Sequence, residues 1–128
     1  MVSGLYVHIV WTTRDRQPLI TPAVADFLRH FLPAVARQES CEILELGIVS
    51  DHLHILAFLH PTTYVPRLLQ RLKGGAAVVA WKEGVTPWAA LKWARGYSIH
   101  SVSRRNLDAV RDYVRSQPAR HPDRAIAA

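Results

Sequence analysis

The apolar positions of this chain switch repeatedly between a period of two and a period near 3.6, and each switch marks an element. Residues 4–13, GLYVHIVWTT, are β-branched and aromatic and predict a strand. RDRQPLITP (14–22) is a basic turn holding two prolines. From Ala23 onward, Val24, Phe27, Leu28, Phe31, Leu32 and Val35 recur at helical spacing and form one face. Thr21 stands where a helix cap is needed, with Pro22 at the first helical position. Pro33 falls inside the pattern and is expected to kink or split the helix. CEILELGIVS (41–50) and DHLHILAFLH (51–60) read as strands in close succession, which predicts an antiparallel hairpin. Val65, Leu68, Leu69, Leu72, Ala76 and Val79 restore the helical period, in a helix that begins near Thr63 or Tyr64 and weakens at Gly74–Gly75. EGVTPWAA (83–90) is a loop and LKWARGYSIHSVS (91–103) a last strand. RRNLDAVRDYVRSQ (104–117) is a third helix, with Asn106 as its cap, Leu107, Val110 and Val114 as its buried stripe, and Pro118 as its stop.

The order β-α-β-β-α-β followed by a helix predicts an α+β fold. It suits a ferredoxin-like split βαβ sandwich, an antiparallel sheet with helices on one face, plus a C-terminal helix. In such a fold the second face of the sheet is left for a ligand or partner. With 128 residues, a single domain over 1–118 is expected, and 119–128 reads as a flexible tail. At 49% hydrophobic and 20% charged, the chain has material for a core and not the composition of a disordered segment. The net charge of +6 favours a polyanionic partner, nucleic acid before membrane surface, although many small basic domains bind no polyanion. Cys41 is the one cysteine, so no internal disulfide can form, in keeping with a reducing, cytoplasmic setting. The first apolar run is short, contains His8 and lacks a basic leader, and reads as neither signal peptide nor membrane span.

The candidate chemistry begins in the hairpin. His52 and His54 flank Leu53, and on a strand residues two apart share a face. Two neutral imidazoles on one face can reach a single divalent cation. They are equally compatible with two ordinary surface histidines on an open sheet face. In the third helix, Tyr113 and Gln117 stand at i and i+4 beside the apolar stripe. A tyrosine there is commonly a rim residue, but an activated phenol is also a covalent nucleophile, and an amide oxygen one turn on can add to a metal site.

With these residues in place the chain resembles the HUH single-tyrosine transposases: the small transposases of bacterial insertion sequences and the REP-associated tyrosine transposases. The resemblance spans nearly the whole chain, through HIVWTTRDRQPLI (8–20), SDHLHILAF (50–58), LLQRLKGGAA (68–77), WARGYSIHSVS (93–103) and VRDYVRSQ (110–117). It implies that His52 and His54 are the metal pair, that Tyr113 is the nucleophile, and that Gln117 completes the metal site. Pro118 departs from a simple helix there and biases Gln117 away from helical geometry. The implied activity is cleavage and rejoining of single-stranded DNA with hairpin ends, through a 5′-phosphotyrosine and with Mg²⁺ or Mn²⁺. The implied assembly is a homodimer joined through the last strand, near 96–102.

Other residues fit DNA handling. Arg14, Arg16, Arg67, Arg71, Lys73, Lys92 and Arg95 are candidate phosphate contacts, and Trp11, Trp88, Trp93 and Tyr97 are candidate base-stacking groups. Arg67 and Arg71 read equally well as a solvated helix face, and Trp11 and Trp93 as core. Three alternatives stay open at this stage. One is a non-catalytic single-stranded nucleic-acid module of RNA-recognition-like fold, although histidines stand where such a domain displays aromatics. Another is a metal-dependent enzyme or sensor for a small molecule, for which Asp51 is the only nearby acid. The third is a domesticated REP-associated nuclease.

Overall fold

In the computed structural model, which describes residues 3–126, alternation sorts each strand between two chemically different faces. The elements are β1 (Leu5–Thr12), α1 (Pro22–Gln38), β2 (Cys41–Ile48), β3 (His52–Leu59), α2 (Val65–Lys82), β4 (Ser98–Val102), α3 (Leu107–Arg115) and α4 (Gln117–Arg120). The strands form one sheet in the order β2-β3-β1-β4, with every neighbouring pair antiparallel. This is the expected ferredoxin-like arrangement. Val7, Ile9 and Trp11 of β1 and Leu53, Ile55, Ala57 and Leu59 of β3 pack against the apolar stripes of α1 and α2. Ile9, Leu28, Leu32, Leu53, Ile55 and Leu68 are fully buried there, and each contributes about 1.5–3 kcal/mol relative to exposure.

α1 begins as its sequence dictates: Thr21 Oγ1 accepts the Val24 N–H at 3.2 Å, with Pro22 in the first turn. Pro33 does not split the helix, because Leu28, Leu32 and Ala36 are fully buried on both sides of it and hold the two halves on one core. α2 likewise runs through Gly74–Gly75. A Cβ on Gly75 would stand 3.2 Å from the Phe31 ring, so the glycine lets the two helices pack closely.

The last strand is shorter than its alternation implies. Only Ser98–Val102 pair along β1, and the chain before them is held by side chains instead. Lys73 Nζ donates to the carbonyls of Ala94 (3.0 Å) and Gly96 (2.7 Å), while Trp93 Nε1 donates to the Lys73 carbonyl at 2.9 Å. Gly96 has φ of +78°, which turns the chain out of extended geometry just before β4.

The third helix is also shorter than expected. Arg104–Asn106 form a 3₁₀ turn, Asn106 makes no side-chain cap, and α3 ends at Arg115. Pro118 enters the first turn of a new short helix, so the chain continues as α4 rather than stopping. α3 lies on the sheet face opposite α1 and α2, over a smaller cluster of Leu56, Val102 and Val114 flanked by Tyr6, Leu44, Leu107 and Val110. The face expected to be open is therefore partly roofed.

Gly47 makes this roof possible. A Cβ there would lie 1.8 Å from the Val114 carbonyl oxygen and 3.0 Å from Gln117 Cγ, so only glycine admits the helix backbone. At the rim, Glu45 Oε2 receives Arg115 at 3.2 Å and Arg111 at 3.8 Å. Residues 119–126 do not hang free as the expected tail. Arg124 accepts the Ser50 N–H at 2.8 Å, its Nε lies 3.4 Å from Asp51 Oδ2, and Ile126 packs against the main core. Residues 127 and 128 lie outside the described residues.

Gly47→Ala tests the roof contact. It should lower stability by roughly 1–3 kcal/mol in denaturant unfolding and speed amide exchange across 107–120, with the α1–α2 core still protected. Unchanged exchange in 107–120 would contradict a backbone contact at this position.

Candidate active site

The period of two on β3 puts His52 and His54 under α3 while Leu53 and Ile55 enter the main core. Both histidines are nearly buried, at 5% and 6% exposure, and their ring centroids are 5.2 Å apart. Each ring is oriented from behind. Asp51 Oδ1 lies 2.7 Å from His52 Nδ1, and since a carboxylate only accepts, the proton sits on Nδ1 and Nε2 is left free. His54 Nδ1 lies 2.8 Å from His8 Nε2. A ligand role for His54 Nε2 requires Nδ1 to donate, and His8 supplies the acceptor.

Electrostatics keep His54 neutral. Burial, followed by the neighbouring His8, His52 and His121, lowers its pKa from 6.5 to about 3. Burial, and then His100, also lowers that of His8. Asp51 is buried and flanked by Arg124 at 3.4 Å and Arg16 at 3.9 Å.

α3 and α4 close the site from above. The Tyr113 ring stands edge-on to His54, at 5.5 Å between centroids, and to His8, at 5.9 Å. It is 38% exposed, so the ring borders both His54 and solvent. Gln117 is fully buried. Its Nε2 donates to the Tyr113 carbonyl at 2.9 Å, while Oε1 is buried with no hydrogen-bond partner. The bend at Ser116 lets Gln117 turn inward despite Pro118.

An unpaired buried amide oxygen costs about 1–3 kcal/mol, so its persistence on a side chain packed over Gly47, the β2 partner of His54, is an observation in favour of a further ligand. Among the described residues no group of three or more His, Cys, Asp or Glu is arranged to hold a metal ion. A divalent cation here would draw on His52 Nε2, His54 Nε2 and the Gln117 oxygen, leaving its other positions to water or phosphate oxygens. That mixed nitrogen and oxygen donor set fits Mn²⁺ readily and Mg²⁺ through its oxygen ligands.

The candidate DNA contacts divide. Arg14, Arg16, Lys92 and Arg95 are exposed at the His52 end of the sheet, where the Arg14 N–H donates to the Lys92 carbonyl at 2.9 Å and the Ala94 N–H to Thr12 at 3.0 Å. Arg67 and Arg71 are not brought there. They clasp Glu39 at the other end of β3, at 2.5 and 2.9 Å. Lys73 is committed to the Ala94 and Gly96 carbonyls, with its pKa lowered by burial. Trp11 is core and Trp93 packs edge-on against it at 5.8 Å, whereas Trp88 (69%) and Tyr97 (41%) are exposed.

Sequence reasoning missed His8, His121 and Arg120 as parts of this site, and left Asp51 without a role. His8 shares the face of His54 only once β1 is paired with β3, and the register cannot be read from either strand alone. His121, edge-on to His52 at 5.3 Å, and Arg120, over the Tyr113 ring at 4.8 Å, lay in a segment read as tail. Their one signal was spacing: His121 stands four residues beyond Gln117, and its N–H donates to the Gln117 carbonyl at 2.9 Å.

Comparison with known proteins adds an independent line. Residues 1–117 match the family described as IS200-like transposases. The chain is 30% identical over 122 residues to the ISDra2 transposase TnpA of Deinococcus radiodurans, covering 91% of this chain and 86% of that protein. In fold it is similar to a D. radiodurans R1 protein regarded as a transposase (TM-score 0.71, 24% identity, 99% of this chain and 95% of that one). It is also similar to a REP-associated tyrosine transposase bound to a REP hairpin (TM-score 0.69, 18% identity, 94% and 70%).

The lowered His54 pKa has a measurable sign. Because the folded value of about 3 lies below the ordinary 6.5, the unfolded chain binds a proton that the folded chain refuses between those values. The stability is whole above pH 6.5 and is lost as pH falls toward 3. His54→Gln should flatten the slope of unfolding free energy against pH in this window, by up to about 1.4 kcal/mol per pH unit. An unchanged slope would contradict a neutral, buried His54.

Proposed function

The chain belongs to the IS200-like transposase family, and from that premise we propose that it cuts and rejoins single-stranded DNA at hairpin-bearing ends through a covalent bond to Tyr113. The observation that carries this reading is the edge-on contact of Tyr113 with the buried, neutral His54, one helical turn before the buried and unpaired Gln117 oxygen. The RNA-recognition-like alternative needs an open sheet face, and α3 covers much of that face here.

In this mechanism Arg14, Arg16, Lys92 and Arg95 hold the backbone of the strand without reading its sequence. Tyr113 Oη attacks the scissile phosphorus, the bond from phosphorus to the 3′ oxygen breaks, and the 5′ phosphate remains on the tyrosine. The phenol proton passes to solvent and the departing oxygen takes one up as a 3′-hydroxyl. Attack by a 3′-hydroxyl on the phosphotyrosine reverses these bond changes and rejoins DNA with no external energy source. His52, His54 and Gln117 would hold Mg²⁺ or Mn²⁺, which when bound polarises the phosphate and offsets charge on its oxygens. Asp51 and His8 keep the two imidazoles turned with Nε2 toward the site. The hairpin in the REP-associated relative supports a hairpin as the recognised form.

A homodimer is part of the proposal. β4 lies at one end of the strand order, so among the described residues its outer edge pairs with no other strand. Pairing with a second copy across a two-fold axis would cover that edge.

Denaturing electrophoresis with labelled, hairpin-bearing single-stranded DNA tests the nucleophile. Wild type should form an adduct in Mg²⁺ or Mn²⁺, and Tyr113→Phe should bind the same DNA yet form none. An adduct that persists in Tyr113→Phe would reassign the nucleophile, and no wild-type adduct would favour a binding module. For assembly, light scattering at micromolar concentration should give a dimer that Ile99→Lys weakens, while a monomeric wild type would contradict the β4 interface.

A further inference from the structure

We propose that Arg120 is a positioning residue that holds the Tyr113 ring against His54 and His8. This inference rests on Tyr113 being the nucleophile. An exposed tyrosine near a helix end is free to rotate about both side-chain bonds, and among the described residues the Tyr113 hydroxyl makes no hydrogen bond. Two contacts define where the ring sits. On one side are the His54 and His8 rings; over its face lies the Arg120 guanidinium, 4.8 Å from the centroid.

Arg120 is itself anchored to the same stretch of chain. Its Nε donates to Ser116 Oγ at 2.8 Å, its N–H donates to the Ser116 carbonyl at 3.0 Å, and Ser116 Oγ lies 3.3 Å from the Tyr113 carbonyl. Tyr113, Ser116 and Arg120 are spaced i, i+3 and i+7, one face of a helix. The bend at Ser116 shortens α3, yet the new turn begun by Gln117 and Pro118 keeps enough helical phase for Arg120 to return over Tyr113. The α3–α4 junction thus sends two side chains to opposite tasks: Gln117 inward beneath the tyrosine, Arg120 outward across its face.

The chemistry suits arginine in particular. A planar, weakly hydrated guanidinium stacks on an aromatic face and stays charged at any working pH, whereas an ammonium is a compact point charge. A surface contact of this kind shifts the ring's population by about two- to fivefold.

The test has two arms. In DNA-free protein with ¹³C-labelled tyrosines, Arg120→Lys should move the Tyr113 aromatic resonance, identified by its loss in Tyr113→Phe, while those of Tyr6 and Tyr97 stay in place. With saturating hairpin DNA, Arg120→Lys should slow single-turnover adduct formation about two- to fivefold, with DNA affinity unchanged. Ser116→Ala should slow it as well, and Ser116→Ala combined with Arg120→Lys should be no slower than Arg120→Lys alone, because the two act on one contact. An unmoved Tyr113 resonance would overturn the proposal. So would a wild-type rate in Arg120→Lys with weaker DNA binding in Arg120→Ala, the pattern of a simple phosphate contact. If wild type forms no adduct, the nucleophile assignment fails, and the resonance alone decides whether Arg120 holds the ring.

Discussion

The contact between the Val114 carbonyl and the bare Cα of Gly47 is the constraint on which the site depends. The absence of a side chain at one position of β2 lets the backbone of α3 descend onto the sheet. That descent buries Val114 and turns Gln117 inward, and Tyr113 comes to rest across His54. Among the described residues, the cluster beneath α3 holds Leu56, Val102 and Val114 as its buried apolar residues, far fewer than the core beneath α1 and α2. α3 is therefore seated by shape and by the Glu45 ion pairs as much as by apolar burial. Stability is concentrated on one face of the sheet, leaving chemistry to the other.

Asp51 links the electrostatics of that second face. It sits just before β3, buried, and touches the His52 imidazole, the Arg16 side chain after β1 and the Arg124 side chain from the C-terminal segment. One carboxylate thereby ties His52 to a candidate DNA contact and to the segment that follows the tyrosine helix. Its charge is offset by two guanidinium groups, while the neighbouring His54 stays neutral by burial. Two buried imidazoles whose Nδ1 atoms are engaged, one by Asp51 and one by His8, are held in fixed orientation in a way that two solvated histidines on an open sheet are not.

Much of this was legible in the sequence. Two periods of hydrophobicity sufficed for the order of elements and the ferredoxin-like sheet, and strand alternation sufficed for His52 and His54 sharing a face. What remained hidden depended on long-range pairing. His8 reaches His54 only through the β1–β3 register. Arg67, Arg71 and Lys73 read as free cations because Glu39 and the carbonyls of Ala94 and Gly96 lie more than twenty residues away from them. The strand expected over 91–103 shortened because Lys73 and Trp93 hold its first half by side-chain bonds that alternation does not encode. The segment 119–126 looked like a tail because its composition is polar and small; its order comes from single contacts by Arg120, Arg124 and Ile126.

The central claim is that the Tyr113 phenol, edge-on to His54 and His8, is the group that takes the phosphate. The most direct measurement is to digest the covalent protein–DNA complex with trypsin and nuclease and find the modified peptide by mass spectrometry. The account predicts a nucleotide on the peptide Asp112–Arg115, whose only tyrosine is Tyr113. A nucleotide carried by a peptide containing Tyr6, Tyr64 or Tyr97 would contradict it.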